Sequence, residues 1–394
     1  MFAASRAPGA RDVAAVHARS ALETSPAVLR RKFADAFKPR PWIYWIDMLG
    51  SAVVGWAAFA LSLAQHGVAS ALALAVATLA LYRAVLFIHE LAHLRPGAIP
   101  GFETVWNLLV GMPLLGPSIM YVGSHSDHHK RSVYGTADDP EYEAIAYWSP
   151  LRIVASTMTM PLLPAALALR WGVLGPLSRA VPPLRRFVVQ SLSTLVINPS
   201  YKRKAGRGRM ALRWAACEAG AALYVWAAVL GVASGQVPVA WVGRWYALVS
   251  GILVVNHVRT LAAHRYENRG ARLDVTGQVV DSVNLRGIPG FTALLAPVGL
   301  RYHALHHLMP ALPYHSLGSV HRRLLAELPP DSPYRITEER SLASALSDLM
   351  ARAARNGRPD AVAHGTTVAA VRVAVAPEAG RRTPVTSDAG AATL

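Results

Sequence analysis

Apolar residues fall into four long, nearly uncharged runs separated by polar stretches. Leu49–Ala64, extended backwards through Ile43–Met48, makes the first, with Trp42, Tyr44 and Trp45 at its mouth. Such aromatic side chains favour the membrane–water interface. Val68–Ile88 is the second, 21 residues interrupted only by Arg83. At ~1.5 Å per helical residue it matches the roughly 30 Å of a hydrocarbon layer. Ala215–Ala233 and Trp241–Val258 form a similar pair. The turns inside the pairs, Gln65–Val68 and Ser234–Pro238, are short and carry no Lys or Arg. The pattern predicts four membrane-spanning helices in two hairpins, over about 43–64, 68–88, 211–233 and 239–263.

Three further apolar stretches are read otherwise. Val105–Val122 is broken by Gly111, Pro113, Gly116 and Pro117, so an interfacial or re-entrant path is expected. The pieces at 153–168 and 289–300 are set aside as spans in the same way. Residues 1–40 form a cytoplasmic arm in which Ser25-Pro26 starts a short helix. Its stripe of Leu29, Phe33 and Phe37 among Arg30, Arg31 and Lys32 suits a helix lying on the membrane, or a plain solvated one. Residues 41–354 make the membrane domain. Residues 355–394, rich in Ala, Gly, Arg, Thr and Pro without periodicity, are expected to be a disordered tail. No secretory signal peptide is expected at the N-terminus.

Composition and charge orient this frame. The chain of 394 residues is 53% hydrophobic with a mean hydropathy of +0.28, too apolar for an ordinary soluble domain. Eight Lys/Arg lie in residues 1–40 and thirteen in 94–209. The positive-inside rule therefore places both termini and the central segment in the cytoplasm. The net charge of +17 flanks apolar spans and accompanies no nucleic-acid motif, so headgroup attraction is expected and nucleic-acid binding is not. A single cysteine, Cys217, excludes disulfides and cysteine-held clusters. The Ala- and Arg-rich composition without organelle signals suits a bacterial inner membrane.

The candidate chemistry is histidine. Eight of the fifteen histidines form three clusters: His89 and His93; His125, His128 and His129; His303, His306 and His307. Their spacings, HxxxH and twice HxxHH, put each cluster on one helical face, aimed at a common point. One metal rarely takes more than six ligands, so two metals are implied. Imidazole suits iron, copper, zinc and nickel. His264, just past the fourth span, is a ninth candidate ligand. All clusters must then lie on one side of the membrane. The fold expected is all-α and integral to the membrane, with a cytoplasmic helical cap holding a di-metal site. Candidates to support the ligands are Glu90, Asp127, Asp138 and Asp139, with Asn256, His257, Glu218 and His315 as further polar residues in or near spans. His17, His66, His321 and His364 read as ordinary surface histidines.

HELAH (89–93), HSDHH (125–129) and HALHH (303–307) resemble the histidine boxes of the integral-membrane fatty acid desaturases and their hydroxylase relatives. The run Tyr302–His315 shares the likeness, and Tyr134-Gly135-Thr136 followed by Asp138-Asp139-Pro140-Glu141-Tyr142 is similar to bacterial members. The resemblance spans about residues 40–330. It implies a non-haem di-iron centre, with two iron ions held by the eight box histidines and His264, and O2 as co-substrate. Thr260 stands where acyl-CoA-type members carry an asparagine. The implied activity is O2-dependent oxidation of a fatty-acyl chain in a membrane lipid. Desaturation is the main reading, and hydroxylation of an acyl lipid or oxidation of another hydrophobic molecule is the alternative. No dinucleotide fingerprint, rubredoxin-like cysteine pair or haem-binding HPGG is present. A separate electron donor is expected, a ferredoxin or a cytochrome or flavin reductase chain. An acidic donor would suit the basic face.

Two other classes remain. His89-Glu90-Leu91-Ala92-His93 alone reads as the HExxH of a zinc protease, with Glu90 as general base. That reading needs a third ligand, commonly in an Asp-Gly context absent from this chain, and leaves both HxxHH clusters unused. A metal transporter would line a crossing path with histidines, whereas these gather at one interface.

Overall fold

The computed structural model describes residues 25–195 and 197–357 and is almost entirely helical. The expected tail from 358 onwards, with His364, and His17 in the arm lie outside the described residues.

Two antiparallel helices open the membrane domain. Pro41–Ala64 begins with proline at its first position, where no backbone N–H is needed. Gly67–Val85 runs back, turns slightly at Leu86 and continues as Phe87–His93. The two approach closely at Gly55, where a Cβ would meet Leu81 Cγ at 2.5 Å. Arg209–Ala233 and Val239–Leu261 form the second pair. Outward-facing Val53, Leu72, Leu223 and Leu230 are all more than half exposed in the isolated chain, as expected of surfaces solvated by lipid. The protein is an integral membrane protein.

Five helical stretches among the described residues, one more than expected, are long and apolar enough to cross a membrane. The addition is Pro150–Ser178, set aside in the sequence reading. Its helix is interrupted by a tighter turn at Met160–Leu162 and a wider one at Arg170–Leu174. Prolines 161, 164 and 176 account for the irregularity, since each removes a helical N–H. Ser156 Oγ meets His257 Nε2 at 3.0 Å, Tyr246 donates to the Pro161 carbonyl, and Trp226 donates to the Gly172 carbonyl. The stretch thus packs on the second pair. The segments 105–122 and 289–300 do not reach spanning length; the latter holds only the short helix Pro289–Leu295.

The remaining elements form a cap over one end of the helices. It contains Ser124–His128, His303–Leu308, Tyr314–Glu327 and Leu342–Asn356. Two short parallel strands, Asn284–Leu285 and Glu338–Glu339, pin its far side. The arm helix Pro26–Lys32 joins the cap. Leu29 and Phe33 are each only 2% exposed and sit in the main core with Tyr44, Leu305 and Leu324. The apolar stripe is covered by protein rather than presented to a membrane.

Candidate metal centre

Nine imidazoles meet in the cap, in two groups. His89, His93, His125, His129 and His306 make one; His128, His264, His303 and His307 make the other. In each group one nitrogen per residue lies within 4.8 Å of all the others. The sequence reading aimed each cluster at one common point. The structure instead divides both HxxHH clusters between the groups. His128 and His129 part company, with ring centroids 5.3 Å apart, and so do His306 and His307, at 5.9 Å. One helical turn thereby supplies two adjacent sites.

Each histidine is placed by a local device. Phe87–His93 carries His89 and His93, and Glu90 between them anchors that helix. Tyr44 donates to Glu90 Oε2 at 2.5 Å, and the Tyr314 N–H donates to it at 3.2 Å. Asn284 Oδ1 accepts the N–H groups of Ala304 and Leu305, which the start of the short His303–Leu308 helix would leave unpaired. His264 is held by an isolated antiparallel bridge to Ser282, with the Val283 N–H on the Ala263 carbonyl. Two residues on, Tyr266 turns the chain with φ +58, and its hydroxyl returns to the Thr260 carbonyl at 2.8 Å. A non-glycine residue in that region is strained and must be held by its surroundings. Tyr266 is fully buried.

Behind the imidazoles stand acceptors. His128 Nδ1 lies 2.8 Å from Asp139 Oδ1, and His125 Nδ1 lies 2.7 Å from Glu141 Oε1. Asp139 is itself fixed by the N–H groups of Gly135 and Glu141. Tyr134 donates to Asp281 Oδ2 at 2.8 Å, so its oxygen accepts from His264 Nδ1 at 2.9 Å. These partners place a hydrogen on Nδ1 and leave the Nε2 lone pair facing inward.

The inward nitrogens crowd one another. Nε2 atoms lie 3.1 Å apart for His125 and His129, 3.0 Å for His129 and His306, and 2.9 Å for His264 and His303. Opposite His125 and His264, whose Nδ1 carries the hydrogen, a neighbouring Nε2 either donates and gives up its own lone pair or repels, and a cation among the rings removes that conflict. Both ring nitrogens of His89, Nε2 of His93, and Nδ1 of His303 and His307 are buried without hydrogen-bond partners. Buried polar groups are rarely left so. The donor set therefore fits two metal ions, each among neutral imidazoles.

The electrostatics agree. Burial, followed by the neighbouring imidazoles, holds His125, His129, His303, His306 and His307 well below the ordinary histidine value. Burial lowers His264 as well. These rings stay neutral, the form that binds metal. His128 goes the other way: burial pulls it down, but Asp139, Glu141 and Asp281 together raise it. Burial pushes Glu141 up to about 7 against the pull of His128 and Tyr121.

Of the residues expected to support the ligands, only Asp139 touches one. Glu90 anchors its helix as described. Asp127 pairs with Lys130 and accepts from Tyr201 at 2.7 Å, turned away from the groups. Asp138 is exposed. Asn256 accepts from Arg259 at 2.9 Å, and His257 meets Ser156. His315 accepts the Arg40 N–H at 3.2 Å and so ties the arm to the cap. Glu218, considered as a polar residue within a span, is enclosed by Arg170, Arg179 and Arg185. His321, expected at the surface, is buried against Tyr334 at 2.8 Å. His66 is exposed as expected.

Glu141, Tyr134, Asp281 and Tyr121, whose hydroxyl lies 2.8 Å from His125 Nδ1 and donates to Glu141, were missed as supports. Glu141 follows Asp139 by two residues, a signal that could have been used. Asp281 reaches His264 only through the bridge at Ser282, and nothing local in the sequence announces it.

A cavity of about 400 Å³ reaches Glu90 and His93 from the outer side of the cap, with Arg30, Lys38 and Arg95 in its lining. The carboxylate of Glu90 is occupied by Tyr44 and Tyr314, unlike the free general base that a zinc protease requires.

Comparison with known proteins adds two findings. The family model described as fatty acid desaturase matches residues 66–338. The chain is also 42% identical over 320 residues to a ceramide hydroxylase of Caulobacter vibrioides (strain NA1000 / CB15N), covering 81% of this chain and 91% of that protein.

Proposed function

The chain belongs to the fatty acid desaturase family, and we propose that within it the protein is an O2-dependent di-iron hydroxylase of a ceramide-type membrane lipid. It is a membrane oxidoreductase of that family. The choice of hydroxylation over the desaturation first expected rests on the similarity to a ceramide hydroxylase along nearly its whole length. Both outcomes use the same centre and consume one O2, two electrons and two protons. Hydroxylation replaces C–H by C–OH and releases one water; desaturation removes two hydrogens and releases two.

His89, His93, His125, His129 and His306 would hold one iron, and His128, His264, His303 and His307 the other. The bound irons supply O2 activation and the oxidising power to break an unactivated C–H bond. The protein's own residues do the rest. Asp139, Glu141 and the Tyr134–Asp281 pair orient the imidazoles and fix their tautomers. A metal's positive charge would favour the ionised form of Glu141. The buried surroundings exclude water from the reacting carbon.

The topology reading follows from the grouping. His128 and His264 share one group, so an even number of crossings separates them. Arg209–Ala233 and Val239–Leu261 supply two. With Pro150–Ser178 adding no net crossing, the total is four. The density of Lys and Arg on that side makes it cytoplasmic. A separate, acidic electron donor would dock there, and the basic mouth of the cavity at His93 supports that placement.

The test is lipid mass spectrometry of a ceramide-producing bacterial host expressing the protein or its His306→Ala variant. The expected result is a ceramide heavier by one oxygen, absent with the variant. A product lacking two hydrogens instead would return the protein to the desaturase branch.

A further inference from the structure

The lipid-facing side of the first hairpin carries a second cavity that the metal centre does not use. It is a groove of about 680 Å³ between Pro41–Ala64 and Gly67–Val85, bounded by Pro289–Leu295. Ile46, Val54, Val76 and Leu294 make apolar walls. The lining also holds an ion pair. Arg83 donates through Nε to Asp47 Oδ1 at 2.8 Å and through Nη2 to Oδ2 at 2.5 Å. Tyr314 donates to the same carboxylate at 2.9 Å. Arg83 Nη1 has no hydrogen-bond partner among the described residues.

We propose that this groove receives the polar end of an uncharged, amide-bearing two-chain lipid, with Arg83 as a specificity-determining residue. The proposal rests on the reading of the substrate as a ceramide-type lipid and extends it to recognition. Three observations carry it. The ion pair is neutral overall but keeps a spare N–H, which suits an uncharged acceptor such as an amide carbonyl. An anionic headgroup would meet Asp47, and a cationic one Arg83. Depth agrees as well. Arg83 lies sixteen residues along from Gly67, roughly 24 Å of helix and near the edge of a roughly 30 Å hydrocarbon layer. The amide and hydroxyl groups of a membrane lipid lie at that level, and His89 is only six residues further along the same helical path. Lastly, the groove is open because two lining positions are glycine. A Cβ at Gly50 or Gly290 would meet nothing within 4 Å. A large side chain at either position is expected to narrow the groove.

The experiment uses the full chain, iron-loaded, in phosphatidylcholine nanodiscs containing a photoactivatable ceramide, with crosslinked peptides mapped by mass spectrometry. Crosslinks to peptides containing 46–54, 76–83 or 290–297 are expected, displaced by unlabelled ceramide but not by phosphatidylglycerol. Gly50→Phe should cut that labelling by ~10-fold or more and raise KM for ceramide with kcat and iron content unchanged. The double variant Asp47→Asn, Arg83→Gln, which keeps hydrogen-bonding groups across the pair, should lose the preference for ceramide over phosphatidylglycerol. Labelling that persists in Gly50→Phe, or that phosphatidylglycerol displaces equally, would overturn the proposal and leave the groove as ordinary boundary-lipid surface. Labelling does not depend on turnover. Ceramide bound in the groove but not oxidised would therefore sink the functional reading alone. Ceramide oxidised with an unchanged KM in Gly50→Phe would sink the groove alone.

Discussion

Two clusters of buried polar side chains interrupt this apolar chain, and they are built on opposite plans. Around Glu218, Arg170 donates at 2.8 Å and Arg185 at 2.9 Å, with Arg179 at 3.1 Å. Opposite charges meet directly, and the carboxylate is satisfied from within. In the cap, nine imidazoles turn ring nitrogens toward one another, and carboxylates stand behind His128 and His125. Among the described residues no countercharge lies between the facing nitrogens. In the first cluster the carboxylate is fully paired, with only Arg170 Nη1 left over, and the Arg170–Glu218 pair holds the interrupted Pro150–Ser178 stretch to Arg209–Ala233. The second makes sense only with cations at its two centres. Both consist of polar residues in or beside apolar segments, and the sequence singles out Glu218 as well as the histidines as functional candidates. The direction in which demand is left unmet tells them apart.

Substitutions can break that comparison, and they rank by their effect on turnover. His306→Ala removes a nitrogen facing the centre and should lower activity by more than ~100-fold, beyond the range typical of outer partners. Circular dichroism should stay unchanged. Activity within a few-fold of wild type would place the centre elsewhere. Asp139→Ala removes only an orienting acceptor, so iron affinity or turnover should fall ~10–100-fold, read by iron titration. An equal loss in Asp138→Ala, at an exposed position, would argue that the Asp139 effect is not specific. Tyr134→Phe breaks the relay from Asp281 to His264 while keeping the ring, and a smaller, few-fold loss is expected. Glu218→Gln should leave turnover per iron-loaded molecule unchanged. It should cost about 3–5 kcal/mol of stability, because it leaves buried guanidinium charge uncompensated. Lost turnover at full iron occupancy would make the arginine cluster part of the active machinery after all.

Acidity sharpens the same contrast in the metal-free protein. Five cap histidines are held well below their ordinary value by burial. As pH falls through about 6.5, the unfolded chain takes up protons that the folded chain refuses, so stability must fall. His128, raised by its carboxylates, and Glu141, raised by burial, contribute with the opposite sign, and the five outweigh them. A lower melting temperature at pH 5.5 than at pH 7.5 is expected, measured with metal removed. A flat profile would mean that these rings are not buried neutral.

The histidine set was legible because the i, i+3, i+4 spacing is local. A helix must place those rings on one face whatever the rest of the chain does. Asp139 was legible for a related reason, since it lies only eleven residues after His128. The division of each HxxHH cluster between two groups was not, because it depends on what the facing helix offers. Asp281 was hidden because it is delivered by a bridge between His264 and Ser282, a long-range pairing with no periodic signature. Pro150–Ser178 shows the limit of reading apolar runs. Its prolines argued against a span, and the helix that continues through them with altered turns is long and apolar enough for one, so length and apolarity alone do not fix the number of crossings. The arm stripe failed differently, because Leu29 and Phe33 found a protein surface where the pattern alone suggested lipid or solvent.

The central claim, two adjacent metal sites built from five and four imidazoles, is tested most directly by metal analysis of the purified, detergent-solubilised protein after expression in iron-replete medium. The account predicts two iron ions per chain, with occupancy reduced by His306→Ala. One metal ion per chain, or zinc bound in place of iron with oxidation of lipid undetectable, would contradict it.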